Sequence, residues 1–196
     1  LCRDWSSDVC SSDLAWMSMF VYMVMAVAAA IGLIWRMKLA HAVSAAAAPL
    51  GASFTFIALV TGSLWGKPMW GTYWVWDARL TSELILLFLY VGYMALNHAF
   101  EDRRTGDRAS AILALVGIVN IPIIHYSVKW WNTLHQGATV FFGPRAEMPP
   151  SMYIPLFIMI IGFMVYFAAF ILKRLQVEVL QRERNTAWVR ALVAKS

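Results

Sequence analysis

Aromatic and charged residues alternate in one short stretch of the chain. It holds four of the ten tryptophans, two cations and one acid, namely Trp65, Lys67, Trp70, Trp74, Trp76, Asp77 and Arg79. Aromatic rings can stack on a flat ligand while cations bind its acid groups. An aromatic belt at lipid-headgroup depth is the alternative. The stretch is continuous, and Gly66, Pro68 and Gly71 are expected to break the helix around it, which favours a binding loop.

A second aromatic segment, residues 128–150, carries a candidate metal ligand. Trp130 and Trp131 precede His135, whose neutral imidazole could ligate a metal. His125 lies in an apolar run, where an ionisable group is a functional candidate. An imidazole bonded to a neighbouring carbonyl or hydroxyl is the alternative for His125.

The remaining two histidines, His41 and His98, fall at the opposite ends of the apolar runs from the aromatic segments. A ligand bound at the tryptophans would lie about a bilayer thickness, roughly 30 Å, from them. We therefore interpret both as residues of the membrane interface.

The groups in the two aromatic segments suit haem better than zinc. A zinc site requires several clustered ligands, and these segments offer too few. Haem requires one or two axial imidazoles, an aromatic surface and cations for its propionates. His135, the tryptophans, Lys67 and Arg79 are groups of these kinds. Asp77 is expected either to pair with Arg79 or to orient a ring nitrogen.

The sequence shows no Gly-rich phosphate loop, serine nucleophile motif or paired carboxylates. ATP hydrolysis and acyl transfer by this chain alone are therefore not expected.

The elements that carry these residues are predicted to be membrane-spanning helices. Of the 196 residues, 61% are hydrophobic and 14% charged, and the mean hydropathy is +0.63. Apolar runs of about twenty residues are long enough to cross a bilayer, and only helices satisfy their own backbone there. The sequence predicts an all-α, polytopic transmembrane helix bundle with five spans, at 15–35, 42–64, 80–100, 109–127 and 151–172. A kink with a polar contact is expected at Asn120 and Pro122.

The distribution of positive charge predicts how the bundle is oriented. The net charge is +5, but without a basic stripe or RNA-binding motif a nucleic-acid partner is not expected, whereas membrane lipid is. Eleven Lys and Arg residues fall on the side of residues 36–41, 101–108 and 173–196, against four on the other. The first side is therefore cytoplasmic. Residues 173–196 are expected to be a solvated tail, with a short surface helix as the alternative.

The first fourteen residues differ in composition from the rest. They are polar, rich in Ser and Asp, and resemble a translated sequencing adapter, so we expect residues 1–14 to be a foreign leader and 15–172 the membrane domain. The only cysteines, Cys2 and Cys10, lie in this leader. Disulfide and cysteine-metal chemistry are therefore not expected in the rest of the chain.

The stretch Trp65-Gly-Lys-Pro-Met-Trp-Gly-Thr-Tyr-Trp-Val-Trp-Asp-Ala-Arg-Leu-Thr-Ser82 resembles the WWD signature. This signature marks a family of haem-handling membrane proteins in the bacterial cytochrome c maturation system. Residues 54–62, 121–128 and 130–136 also resemble that family. The likeness runs from Ala15 to about Gln136 and extends more loosely through the last span.

The resemblance implies a six-span inner-membrane protein that holds haem b on a periplasmic WWD loop between two axial histidines. His135 matches the axial histidine after the loop and would bind the haem iron. The core of the WWD loop is matched by Trp70, Trp74, Trp76 and Asp77. The position of the other axial histidine falls in residues 1–14, so we expect that ligand and one span to be missing.

The same resemblance implies partners. Haem would pass to the haem chaperone CcmE, and the ABC transporter subunits CcmA and CcmB and the small subunit CcmD would assemble with the protein. We expect a binding and transfer component and not an enzyme. Two alternatives stay open: a haem exporter that conducts haem through its own spans, and a cytochrome–haem ligase of the wider WWD superfamily.

Overall fold

The structure, a computed structural model, describes the backbone of residues 2–130, 150–183, 186, 187 and 189. Side chains are described for residues 14–68, 71–126, 157–183, 186, 187 and 189. The helices are α1 (Cys2–Trp35), α2 (Lys38–Trp70), α3 (Ala78–Ala99), α4 (Arg103–Gly117), α5 (Asn120–Trp130) and α6 (Pro150–Arg182). No strand occurs among the residues whose backbone is described, which confirms the all-α prediction.

Within the described residues, five helical segments are long and apolar enough to cross a membrane. They are Leu14–Trp35, Lys38–Pro68, Ala78–Ala99, Arg103–Tyr126 and Phe157–Arg182. Each overlaps one predicted span, so the number and order of the spans are confirmed.

The fourth span is made of two helices, α4 and α5, with a break at residues 118–119. Pro122 has no N–H to donate to the carbonyl of Ile118, and its ring would collide with that carbonyl in a straight helix. The Asn120 side-chain amide donates to the backbone oxygen of Ser82 in α3, at 2.9 Å. The predicted kink and its polar contact are therefore confirmed.

Helix α2 continues further than the sequence predicts. It includes Gly66 and Pro68 and ends at Trp70, so the predicted helix break at these two residues is wrong. Gly71 ends the helix as predicted: its φ of 79° is left-handed, and its N–H donates to the oxygen of Lys67 at 2.9 Å. A glycine adopts this conformation without the steric cost that a Cβ brings.

The core of the bundle forms between α1, α2, α3 and α4. Helix α1 packs most extensively on α2, where small buried side chains such as Ala29 and Ala47 allow close approach. Tyr22 of α1 and Tyr90 of α3 are fully buried, with ring centroids 5.2 Å apart in an edge-to-face arrangement. The Tyr22 hydroxyl donates to the oxygen of Ala114 at 3.2 Å, so the aromatic core also joins α4 to α1.

Helix α6 lies at the side of the bundle. Phe163 and Phe167 pack edge-to-face on Phe54 and Phe20, at centroid distances of 5.8 and 5.7 Å. The helix extends to Arg182, so residues 173–182 continue the last span as helix and do not form a separate segment. The solvated tail stays a prediction. Ion pairs join this end of α6 to α4.

Two other expectations are corrected in part. Helix α1 begins at Cys2, so Ala15 does not mark a structural boundary. The foreign origin of residues 1–14 stays a prediction. His98 is exposed, as an interfacial residue should be, but His41 is only 8% exposed. Its ring packs on Gly32, where an added Cβ would meet the imidazole at 2.7–2.9 Å, so His41 is a packing residue between α1 and α2.

Candidate functional site

Because successive spans run in opposite directions, the connection from α2 to α3 and the end of α5 lie at the same end of the bundle. The connections from α1 to α2 and from α3 to α4 lie at the opposite end. We call residues 65–79 the tryptophan-rich loop. The structure thus places this loop and the start of the predicted His135 segment at one end of the molecule.

The tryptophan-rich loop is held at both sides by helix ends. Trp65 and Lys67 lie in the last turns of α2, and Gly71 then reverses the chain. Asp77 is the residue that precedes α3, and its carbonyl accepts the first helical bond, from the N–H of Thr81 at 2.9 Å. Asp77 is 9% exposed and makes no side-chain capping bond. Its carboxylate still lies at the end of α3 where the helix dipole favours negative charge.

The aromatic residues of the loop form an exposed surface. Trp74 and Trp76 have ring centroids 5.7 Å apart at an interplanar angle of 78°, an edge-to-face pair. Trp76 is 76% exposed and Tyr73 is 53% exposed. These exposed rings are open to a ligand or partner, or to lipid headgroups as in an aromatic belt.

Trp74 also carries a polar group that could reach a ligand. Its indole Nε1 is buried and has no hydrogen-bond partner within the described part of the chain. A buried indole N–H usually finds an acceptor. This nitrogen is therefore a candidate donor to a bound molecule.

The two predicted cations differ in their surroundings. Lys67 Nζ donates to the hydroxyl of Tyr73 at 2.7 Å and lies 4.2 Å from the centre of that ring. An ammonium has three donors, so Lys67 can bind an acid group while it keeps Tyr73 in place. Arg79 is half-buried in the first turn of α3 and forms no ion pair with any described residue. Its guanidinium suits a carboxylate.

A buried polar contact lies directly after these residues in α3, and the sequence analysis missed it. Glu83 is 5% exposed, and the hydroxyl of Ser18 in α1 lies 2.8 Å from its Oε1. Glu83 is one helical turn from Arg79. The signal was available, because Glu83 is the only acidic residue in the predicted span 80–100, and ionisable groups at such a depth are functional candidates.

His125, the weaker histidine candidate, packs among aromatic rings. Its ring centroid lies 5.3 Å from Trp16 of α1 and 4.9 Å from Tyr126, both in edge-to-face arrangements. It lies in α5 at the same end of the bundle as the tryptophan-rich loop. These contacts give His125 a packing role between α5 and α1.

Several predicted site residues lie outside the described residues. They are His135 and Trp131, together with the side chains of Trp70 and Trp130. The backbones of Trp70 and Trp130 are the last residues of α2 and α5, at the same end of the bundle. Iron ligation by His135 therefore stays a prediction. Trp65, Lys67, Trp74, Trp76, Asp77 and Arg79 lie at one end of the bundle, in the last turns of α2, the connection and the start of α3.

The chain is similar to known proteins of one family. The sequence profile of the CcmC family, described as "Heme exporter protein C", matches residues 12–190. The chain is 59% identical over 178 residues to "Heme exporter protein C" of Escherichia coli strain K12, covering 91% of the chain and 71% of the relative. It is 51% identical over 175 residues to the protein of the same name in Haemophilus influenzae, covering 89% and 71%.

More distant relatives are similar along most of the same region. "Heme exporter protein C" of Paracoccus denitrificans is 42% identical over 169 residues, which cover 86% of the chain and 70% of the relative. A mitochondrial protein of Marchantia polymorpha, whose name describes it as ccmC-like and places it in cytochrome c biosynthesis, is 45% identical over 150 residues, covering 76% and 62%. The family profile matches from α1 to beyond the end of α6, and the Escherichia coli relative is 59% identical. The chain therefore belongs to the CcmC family.

Proposed function

We propose that this protein binds haem at the tryptophan-rich loop and hands it to the haem chaperone CcmE for the assembly of c-type cytochromes. The names of its relatives, which describe haem export and cytochrome c biosynthesis, support haem as the cargo. The proposed role is binding and transfer, without covalent chemistry on the haem.

The observation that carries the proposal is the Trp74–Trp76 pair, with Trp76 exposed and Trp74 half-buried, which lies between Lys67 and Arg79 in the sequence. Haem has a flat apolar ring and two propionates. An aromatic surface with a cation on either side in the sequence matches both features, since rings stack on the macrocycle and cations bind the acid groups. The buried Nε1 of Trp74 offers a further donor. The described residues therefore fit haem as cargo.

His135 is the proposed ligand of the iron, with haem b as the bound form. Its segment follows α5, and α5 ends at the same end of the bundle as the tryptophan-rich loop. A neutral imidazole is a common axial ligand of haem iron. A second axial histidine is proposed to come from a segment that would precede the first span seen here, in a six-span protein.

We propose that the tryptophan-rich loop faces the periplasm and that residue 182 lies on the cytoplasmic side of the bacterial inner membrane. Eleven Lys and Arg residues on one side against four on the other support this orientation. In this orientation haem is bound where a periplasmic chaperone can reach it. CcmA and CcmB, with the small subunit CcmD, are the proposed partners that shift the affinity between protein and chaperone.

The test compares haem content in variants of the protein expressed from its complete gene and purified in detergent. His135→Ala and Trp76→Ala are each expected to lose most of the Soret absorbance per protein. His98→Ala is the matched control, because His98 is exposed and lies at the opposite end of the bundle. His41 is unsuitable as a control because it is buried. Equal Soret absorbance in His135→Ala, Trp76→Ala and His98→Ala would refute the proposed site.

Conduction of haem through the spans is the second candidate, because relatives carry the name heme exporter. A haem-loading assay separates the two functions. The protein is placed in sealed vesicles, and haem is supplied only on the side of the tryptophan-rich loop. Loading from that side supports binding without obligatory conduction. Loading that occurs only when haem is supplied from the opposite side supports conduction.

A further inference from the structure

One face of α6 forms a groove that the proposed haem function does not use. The groove, of about 440 Å³, is lined by Tyr166, Ala169, Phe170, Lys173, Arg174 and Val177. Their positions follow the order i, i+3, i+4, i+7, i+8 and i+11, which places them on one side of a helix. The groove is therefore a continuous stripe, with apolar residues along most of its length and two adjacent cations near one end.

The stripe is exposed at the surface of the bundle. Tyr166 is 52% exposed and Val177 is 44% exposed, and both Lys173 and Arg174 are exposed. Neither cation forms an ion pair within the part of the chain that the structure describes. The groove thus offers an apolar surface and two available positive charges.

The face of α6 beside the stripe is held against the bundle. Glu178 accepts from Arg103 at 2.9 Å, and Arg182 binds both carboxylate oxygens of Asp107, at 2.8 and 3.0 Å. Phe167, about three turns before Glu178 on the same side of the helix, is 8% exposed. These contacts hold the buried face of α6 against the bundle. The stripe borders that face, because the ring centroid of Tyr166 lies 6.3 Å from that of Phe54 in α2 and Phe170 packs against the core. Its exposed side chains, Tyr166, Lys173, Arg174 and Val177, therefore lie at the edge of the bundle, where a membrane protein meets lipid.

The two cations lie near the predicted end of the apolar span. Lys173 and Arg174 directly follow Leu172, where the sequence predicts the apolar span to end. Lys173 lies seven residues after Tyr166, so about 10 Å of apolar groove leads up to the charges. Phosphate groups of lipids lie at this boundary, and their acyl chains run along the span.

We propose that this groove binds an anionic phospholipid. The phosphate would be held by Lys173 and Arg174, since Arg recognises phosphate with two parallel N–H groups and Lys adds a point charge. An acyl chain would lie along Tyr166 and Phe170. Two cations without an acidic residue in the stripe favour a lipid with net negative charge over a zwitterionic one.

The test measures lipid binding by native mass spectrometry of the whole protein in detergent, with added phosphatidylglycerol. One tightly bound phosphatidylglycerol is expected for the natural sequence. The double variant Lys173→Gln/Arg174→Gln is expected to bind it about 30-fold more weakly. The loss of each cation near an anionic lipid surface weakens binding by a factor of roughly five to six, and the two factors multiply. The matched control Arg104→Gln/Arg108→Gln removes two exposed cations of α4 and should leave binding unchanged.

A second pair of variants tests the groove without changing charge. Ala169→Trp fills the groove and is expected to weaken phosphatidylglycerol binding, whereas Ala168→Trp, at an exposed position outside the stripe, is not. Phosphatidylcholine should bind no better to the natural protein than to the double variant. The proposal is overturned if the Lys173/Arg174 variant binds phosphatidylglycerol as the natural protein does, or if the Arg104/Arg108 control loses as much affinity.

Discussion

Ser18 Oγ lies 2.8 Å from Glu83 Oε1, which joins α1 to α3 inside the bundle. The backbone oxygen of Ser18 accepts a second bond across the same interface, from the hydroxyl of Tyr90 at 2.8 Å. Both Ser18 and Tyr90 are fully buried. Helix α3, which follows Asp77 and carries Arg79 in its first turn, is therefore held against α1 by two buried polar contacts.

Ser18→Ala is expected to destabilise the protein, because it leaves the buried carboxyl group of Glu83 without this partner. An unsatisfied buried polar group costs about 1–3 kcal/mol. The measurement is the thermal unfolding midpoint in detergent, which should fall in the variant. Ser53→Ala is the control: the Ser53 hydroxyl is exposed and donates at 2.8 Å to the oxygen of Pro49 in its own helix. A midpoint no lower for Ser18→Ala than for Ser53→Ala would contradict the role given to this contact.

Gly51→Ala is expected to be strongly destabilising. A Cβ at Gly51 would collide with the ring of Tyr90, which is fully buried and cannot move aside freely. Overpacking of this kind costs about 1–3 kcal/mol. Gly162→Ala is the matched control in α6, because a Cβ there has no atom within 4 Å. That control should be neutral or stabilising by up to about 1 kcal/mol, since alanine favours the helix. Similar unfolding midpoints for the two variants would show that Gly51 is not packed against Tyr90.

How far the sequence predicts the structure differs between elements. The five spans were predictable because lipid demands long apolar helices, and such runs are visible without any tertiary information. The end of α2 was not, since Gly66 and Pro68 weaken a helix locally but the backbone of residues 66–70 still forms helical bonds up to Gly71. The end of α6 forms ion pairs with α4 between residues 75 positions apart in the sequence, and composition cannot show such pairs.

The candidate site was predictable in composition but only partly in contacts. The sequence identified the aromatic and charged residues of the tryptophan-rich loop, and the structure places six of the named candidates there. The bond from Lys67 to Tyr73 was not predicted, because a lysine close to tyrosine in sequence does not fix the path of the loop between them. The contact of Ser18 with Glu83 joins residues of different helices, and their pairing depends on how α1 packs on α3.

Asp102→Asn is expected to remove one source of acid sensitivity. The Thr105 hydroxyl, at 2.7 Å, and the N–H groups of Arg104 and Thr105 donate to Asp102 and hold its pKa below the usual range. A carboxyl group whose pKa is lower in the folded state than in the unfolded state stabilises the folded protein at pH values above the unfolded-state pKa. This stabilisation is lost as the pH falls through the folded-state pKa. Asparagine can cap α4 without titrating. The difference in unfolding midpoint between natural protein and variant should therefore shrink from pH 7 towards pH 3. A constant difference would contradict the assignment.

Arg182→Lys tests whether the ion pairs at the end of α6 hold the helix on α4. Arg182 uses three donors: two bind Asp107, at 2.8 and 3.0 Å, and Nε binds Glu178 at 2.9 Å. Both Arg182 and Asp107 have side chains less than one-sixth exposed, at 13% and 11%. An ammonium cannot reproduce this planar set of bonds, and each hydrogen bond to a charged group contributes about 1.5–3 kcal/mol.

The loss of the Arg182 hydrogen bonds should release the end of α6 from the bundle and make the helix after Leu172 easier for a protease to cleave. Trypsin cleaves at Lys173 and Arg174, so the measured quantity is the rate of cleavage there in the folded protein. A loss of about 1.5–3 kcal/mol in local stability corresponds to roughly 10- to 150-fold faster cleavage when opening is rapid. Arg104→Lys is the control, because Arg104 is exposed at the start of α4 and its replacement by lysine also conserves the charge. If Arg182→Lys is cleaved no faster than Arg104→Lys, the end of α6 is held by its apolar contacts, and the ion pairs contribute little to its position.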